Sequence, residues 1–329
     1  MRCSAETNRS GARPTNARAG APAETPGLRP GAKATISGLG DGYARPVLKA
    51  RRRSFTYQGH RLVFDEYGGG ERPVVLLPGL LLSRRMQGPL ASAIASRGYR
   101  VLCLDLLGHG DSDRPSEMSA YSMAIFGGQV IGLLDHLAID QAVIGGTSLG
   151  ANTSLEAAVA APARVKGLLV EMPVLDNALL GCALAFTPLM AYLTFGAPVA
   201  RLIAAGAGLV PRPGRPLLAD VLLDCVSQDP GPSASVLQGL FFGRVAPPGE
   251  ERRRLDMPAL VIGHDRDPIH PFSDSDQLVH ELSGARLVEA SSILELRMTP
   301  ERLTSEITSF VDECWSQTRT RRRRGRQVA

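Results

Sequence analysis

Short apolar runs alternate with longer helical stretches along most of this chain, from residue 54 onward. Two alternating runs, residues 54–57 and 61–66, predict a β-hairpin. The next runs are nearly continuous in Val, Leu and Ile, as in strands that are buried on both faces of a parallel sheet. Strands are predicted at 74–77, 100–104, 141–144 and 165–170, with helices near 85–97, 121–137 and 149–161. The pattern predicts an α/β fold, a mostly parallel central sheet flanked by helices.

The alternation stops at about residue 175 and gives way to apolar helical sequence rich in Ala, Leu, Gly and Pro. This single interruption predicts an inserted helical cap, about residues 176–254. The alternation then resumes, with strands at 259–262 and 285–289, a helix at 273–282, and a last helix that starts at Thr299-Pro300.

Residues 177–200, inside the predicted cap, carry no charged side chain and are long enough to span a bilayer. However, Gly181, Pro188, Gly196 and Pro198 would break a single helix. Buried or lid helices are therefore expected here.

Positive charge is concentrated at the two ends of this 329-residue chain. Residues 1–53 hold eleven Lys or Arg and three acids, and residues 319–326 hold six Arg. The rest has 20 basic and 29 acidic side chains, so a nucleic-acid groove is not expected there. The sequence predicts a disordered basic tail at 1–53, one α/β domain at 54–316 and an Arg-rich tail at 317–329. The lid helices of the predicted cap and the basic tails are the candidates for peripheral membrane contact.

The five cysteines are scattered, with no Cys-x-x-Cys pair, which argues against a zinc site and against a disulfide framework. The first fifty residues contain no apolar run of seven, and a secretory signal is therefore not predicted. A reducing, cytoplasmic location is expected. No motif implies a metal or a cofactor, and the sequence leaves the oligomeric state open.

The candidate chemistry centres on a strand–turn–helix around Gly146-Thr147-Ser148-Leu149-Gly150. A nucleophilic serine sits on a strained turn at the carboxyl end of a strand, and small neighbours let helix and strand approach closely there. Gly146 and Gly150 supply such neighbours, and Ser148 is the candidate nucleophile.

These residues resemble the α/β-hydrolase superfamily, of the serine esterase or lipase type, over about residues 54–315. Val74-Val75-Leu76-Leu77-Pro78-Gly79-Leu80 is similar to the strand and oxyanion turn of that family. The resemblance implies that the backbone NH groups of Leu80 and Leu149 stabilise a developing oxyanion. Asp105 to Ser112 is similar to a loop that is usually structural, which implies a structural role for His109.

The same resemblance places the catalytic acid after the strand that follows the cap. Asp267 fits that place best, and Asp265, Glu171 and Asp176 remain alternatives. The family histidine would follow the last strand, but Ile293 stands at that position and no His follows His280. The base is therefore sought elsewhere, at His270 first and at His109 second.

Two functions remain open from the sequence. The first is a serine hydrolase that cleaves a small apolar ester or thioester through Ser148, His270 and Asp267, because the predicted lid carries little charge. The second is a non-catalytic binding or scaffold protein, which the absence of the family histidine suggests. Relatives that use an aspartate nucleophile are disfavoured because the turn carries Ser148.

Overall fold

In the computed structural model, which describes residues 48–211, 216–267 and 269–326, eight strands form one sheet. The strands are β1 Arg51–Tyr57, β2 His60–Gly68, β3 Pro73–Leu77, β4 Arg100–Leu104, β5 Ala142–Thr147, β6 Val165–Glu171, β7 Ala259–Gly263 and β8 Ala285–Glu289. Their order in the sheet is β1-β2-β4-β3-β5-β6-β7-β8. β2 is antiparallel to β1 and β4, and every other neighbouring pair is parallel. The predicted mostly parallel sheet is confirmed.

Eleven α-helices are found in the described residues. They are α1 Gly88–Ala95, α2 Met123–His136, α3 Leu149–Ala160, α4 Leu179–Phe195, α5 Ala197–Gly208, α6 Leu217–Val226, α7 Pro230–Phe241, α8 Gly249–Arg252, α9 Phe272–Glu281, α10 Glu295–Met298 and α11 Glu301–Arg326. Five of them, α4 to α8, lie between β6 and β7, within the range predicted for the cap. We call this segment, residues 179–252, the helical insertion.

Alternate residues of the central strands pack into two separate cores, because successive side chains of a strand point to opposite faces. In β3, Val75 and Leu77 contact the core formed with α2, α3 and α9, while Val74 and Leu76 contact the core formed with α1 and α11. Helices therefore cover both faces of the sheet, as the continuous apolar runs predict.

The start of the helical insertion is fixed to α9 by a buried carboxylate. Asp274, in the first turn of α9, accepts backbone NH groups from Leu175, Asn177 and Ala178 at 2.6, 3.0 and 3.2 Å. These contacts satisfy three backbone NH groups of the segment that leads into α4. The insertion is thus held next to the segment that follows β7.

The secondary structure of the described residues extends beyond residues 54–316 at both ends. β1 begins at Arg51, three residues before the predicted start, because Arg51 to Arg53 pair with Phe64 to Glu66 on an edge strand that tolerates exposed charge. At the other end, α11 continues to Arg326, into the predicted tail at 317–329. Residues 1–47 of the predicted N-terminal tail lie outside the described residues.

Candidate active site

Ser148 lies at the sharp turn between β5 and α3. Its backbone has φ 54° and ψ −110°, a left-handed conformation that is strained for a residue with a side chain. A Cβ on Gly146 would lie 2.7 Å from the Leu77 carbonyl oxygen, and one on Gly150 would lie 2.6 Å from the same atom. The two glycines therefore permit the close approach of helix and strand that sets Ser148 at the end of β5.

His270 joins Ser148 to Asp267. Its Nε2 lies 2.8 Å from the Ser148 Oγ, and its Nδ1 lies 2.7 Å from an Asp267 carboxylate oxygen. A carboxylate accepts only, so Nδ1 carries the proton and Nε2 is free to accept one from the serine hydroxyl. The structure thus brings together the three residues that the sequence suggested as nucleophile, base and acid.

The acid and the base form one compact unit in the loop after β7. The other Asp267 oxygen accepts the backbone NH groups of Ile269 and His270 at 2.9 and 3.0 Å. Burial alone would raise the pKa of Asp267, but the hydrogen bonds from the His270 ring and from these two NH groups lower it below its usual range. Asp267 therefore stays ionised and orients the imidazole.

The three alternative acids have other surroundings. The Asp265 side chain is 55% exposed and pairs loosely with Arg266 and His264. Asp176 is exposed, and Glu171 is buried but hydrogen-bonds to Thr147 and Arg297. None of these three carboxylates contacts His270 in the described part of the chain.

His109, the alternative base, is fully buried. Its Nδ1 lies 3.0 Å from the Leu107 carbonyl oxygen, and burial lowers its pKa to about 4. Its ring packs edge-on against Phe126, with the ring centroids 5.8 Å apart. These contacts agree with the structural role that the sequence resemblance implies.

The expected oxyanion donors, Leu80 and Leu149, line the same cavity as Ser148. Leu149 is the first residue of α3, where backbone NH groups have no partner within the helix. No protein acceptor for the Leu80 NH is found in the described residues. The NH groups of Leu80 and Leu149 therefore remain the expected donors to a developing oxyanion.

Two apolar cavities meet at Ser148. The first, about 270 Å³, lies under the helical insertion and is lined by α4, α7 and the start of α3, including Ala183, Phe186 and Leu237. The second, about 370 Å³, contains His270 and Asp267 and is lined further by Leu217, Ile293 and other apolar side chains. Ile293 is thus at the site, but it contributes apolar surface there.

Sequence reasoning missed a largely buried ion pair next to the nucleophile turn, of which Arg297 also lines the 370 Å³ cavity. Arg297 of α10 donates to Glu171 at 2.9 Å and to the hydroxyl of Thr147, the residue before Ser148, at 2.9 Å. Thr147 in turn donates to Glu171, and Gln87 donates to the Thr147 hydroxyl at 3.2 Å. We call Arg297, Glu171, Thr147 and Gln87 the brace. Its members lie far apart along the chain, so no local pattern marks them.

A family model described as alpha/beta hydrolase fold matches residues 72–291. Among curated proteins, 3-oxoadipate enol-lactonase 2 of Acinetobacter baylyi is 28% identical over 247 residues, 73% of this chain and 89% of the relative. An epoxide hydrolase of Caballeronia sordidicola is 42% identical over 77 residues, which span only 23% of either protein.

Solved structures of the same fold superpose on most of the chain. The enol-lactonase of Burkholderia xenovorans LB400 gives a TM-score of 0.65 at 22% identity and covers 79% of this chain and 100% of that one. An esterase from Thermogutta terrifontis gives 0.63 at 20% identity, with 80% and 99% covered. With the eight-stranded sheet and the family match over residues 72–291, these likenesses place the chain in the α/β-hydrolase fold family.

Proposed function

We propose that this protein is a serine hydrolase in which Ser148 is the nucleophile, His270 the base and Asp267 the acid. The observation that carries the proposal is the bridge made by His270, 2.8 Å from the Ser148 hydroxyl and 2.7 Å from Asp267. A serine hydroxyl becomes a competent nucleophile when an adjacent base accepts its proton and an acid orients that base.

The reaction follows from the positions of these groups. The Ser148 hydroxyl transfers its proton to His270 Nε2 as its Oγ attacks the substrate carbonyl. The NH groups of Leu80 and Leu149 stabilise the oxyanion, a contribution worth about 3 to 4 kcal/mol per donor in comparable sites. His270 then protonates the departing oxygen or sulfur, and a water molecule releases the acid from the acyl-enzyme by the same steps.

The cavities support an ester or thioester with an apolar acyl group as substrate. His270 must reach the leaving atom, which assigns the leaving group to the 370 Å³ cavity that contains it. The acyl chain then occupies the 270 Å³ cavity under the insertion. Medium-chain acyl esters should react faster than acetates, since each buried methylene is worth about 0.8 kcal/mol.

The two relatives named above point to different nucleophilic chemistry. The enol-lactonase acts on a cyclic ester, which is compatible with a serine that attacks a carbonyl. The likeness to the epoxide hydrolase covers 77 residues only. We favour ester chemistry because the nucleophile turn of this chain carries Ser148 and not an aspartate.

Intact mass after exposure to a fluorophosphonate probe tests the nucleophile. The wild type should gain one covalent adduct, and Ser148→Ala should gain none. If the wild type gains no adduct and hydrolyses no member of a broad ester panel, the alternative of a non-catalytic binding protein is favoured.

Paired substitutions test the assignment of the cavities. Ala183→Phe should fill the first cavity and shift the preferred acyl chain to shorter lengths. It should change the selectivity for the alcohol part of the ester only slightly. Leu217→Trp should instead discriminate against bulky alcohols at constant acyl length. If both variants changed only acyl selectivity, the two assignments would be wrong.

A further inference from the structure

The helical insertion exposes a concentration of large apolar side chains. Thirteen of the seventeen exposed large hydrophobic residues found in the described chain belong to residues 179–242. The most exposed of these on α4, on α5 and at the residue that caps α5 are Leu180, Leu184, Phe195, Leu202 and Leu209, each 70–86% accessible. We call the solvent-facing side of α4 and α5 the apolar face. A single exposed leucine is ordinary, but such a concentration marks an interaction surface.

Helical spacing places these side chains together. On α5, Val199 and Leu202 are three residues apart and lie on one side of the helix. Leu209, the residue that caps the end of α5, follows Leu202 after seven residues. On α4, Leu180 and Leu184 are one turn apart. An added Cβ at Gly206 would meet no atom within 4 Å, so nothing in the described structure covers α5 at that point.

The charge of α4 and α5 favours an anionic partner over a cationic one. These two helices together carry one charged side chain, Arg201, and no acid. Arg201 is 61% exposed and lies 3.8 Å from the similarly exposed Asp229, a weak surface pair. An apolar surface that carries an exposed arginine and no acid is the chemistry that binds the interface of an anionic bilayer.

The geometry favours a surface position and not a span. Among the described helices, none is long and apolar enough alone to cross a membrane. α4 and α5 satisfy that test only as a pair, and they are bent by 93° at their junction. A bent pair of this kind can lie along the headgroup boundary with its apolar side chains inserted.

The apolar face is continuous with the candidate active site. Leu179, next to Leu180 on α4, is 47% exposed and also lines the 270 Å³ cavity beside Ser148. Phe241, 48% exposed, lines the same cavity. We propose that the apolar face docks this protein on the surface of anionic phospholipid membranes, with the mouth of this cavity next to the lipid.

Flotation with vesicles tests the proposal in the full-length chain. The Ser148→Ala variant should float with vesicles of phosphatidylglycerol and phosphatidylcholine, and at least tenfold less with phosphatidylcholine alone. Adding Leu184→Glu and Leu202→Glu should weaken binding to the anionic vesicles at least tenfold. Both leucines are over 70% exposed, so the substitutions should leave the fold intact, which circular dichroism checks.

A matched control separates the apolar face from the basic ends of the chain. Met298→Glu changes a side chain that is 63% exposed outside the insertion, and it should bind like Ser148→Ala alone. All variants keep both basic ends, so a difference between them reports on the apolar face. Equal binding by the double-Glu variant and the control would overturn the proposal.

Sedimentation without lipid tests the competing occupant, a second copy of this chain. If the protein is a dimer that the two Glu substitutions convert to a monomer, the apolar face joins copies and the proposal is wrong. A monomer in both cases supports it. Because the test uses Ser148→Ala, its result does not depend on whether the proposed hydrolase activity is found.

Discussion

The loops that follow β7 and β8 lie on adjacent parallel strands but contribute differently to the site. The loop after β7 carries both Asp267 and His270, three residues apart, and the imidazole reaches Ser148. The loop after β8 carries Ile293, which lines the cavity, and leads to Arg297, which belongs to the brace. Adjacent strand ends can therefore provide chemistry in one case and support in the other.

In the proposed hydrolase, the base comes from the loop after β7 and not from the loop that usually carries it. Asp267 accepts the backbone NH groups of residues 269 and 270 and also holds the His270 ring, so one carboxylate fixes both the loop and the imidazole. Such preorganisation lowers the entropy lost on assembling the site. The nucleophile needs an imidazole nitrogen within hydrogen-bond distance. The position of that histidine along the sequence is not important.

The largest expected effect distinguishes the contributions of the loops after β7 and β8 to activity. His270→Ala should lower kcat/KM by about 10⁴-fold or more, nearly as much as Ser148→Ala, because members of such a unit act together. Ile293→Ala, the matched change in the loop after β8, should cost less than about tenfold, since it removes only apolar contact. Hydrolysis of a medium-chain ester measures all three.

Full turnover in His270→Ala, together with an inactive Ser148→Ala, would show that the base lies elsewhere. Circular dichroism of each variant provides the folding control. A large loss in Ile293→Ala with a folded protein would instead mean that the loop after β8 is part of the chemistry.

The fold and the nucleophile turn could be predicted from local patterns, and the rest of the site only in part. Period-two and near-continuous apolar runs encode the sheet, and two glycines around Ser148 encode a turn that only small residues allow. Family order alone would have assigned the base to residue 293. The position of His270, three residues after Asp267 in the chain, indicates the alternative. The brace joins β5, β6 and α10 through long-range contacts, which no local spacing encodes.

The next effect concerns the stability that the loop after β8 provides. Arg297→Met should lower the free energy of unfolding by about 3 to 5 kcal/mol, because Glu171 would remain buried without its cation. The double change Arg297→Met with Glu171→Leu should recover most of this loss, since replacing both charges removes the unpaired one. Urea unfolding measures both. A double variant no more stable than Arg297→Met would contradict the account of the brace as a charge pair.

The smallest expected effect is a pH dependence within the loop after β8. Glu295 accepts hydrogen bonds from Arg302 at 2.8 Å and from the Ser291 hydroxyl at 2.7 Å, and these contacts lower its pKa to about 2. A carboxyl with a depressed folded-state pKa stabilises the protein fully above its unfolded value of 4.5, and this contribution disappears as the pH falls toward about 2. Because Arg302 is half exposed, solvent screening reduces the effect to about 1 to 2 kcal/mol.

Glu295→Gln should therefore be less stable than wild type at pH 7 and equal to it near pH 2, as measured by urea unfolding across that range. Glu289→Gln, an exposed acid at the end of β8, is the control and should follow wild type throughout. If the difference between Glu295→Gln and wild type stayed constant with pH, the ionised carboxylate would not be what holds this loop.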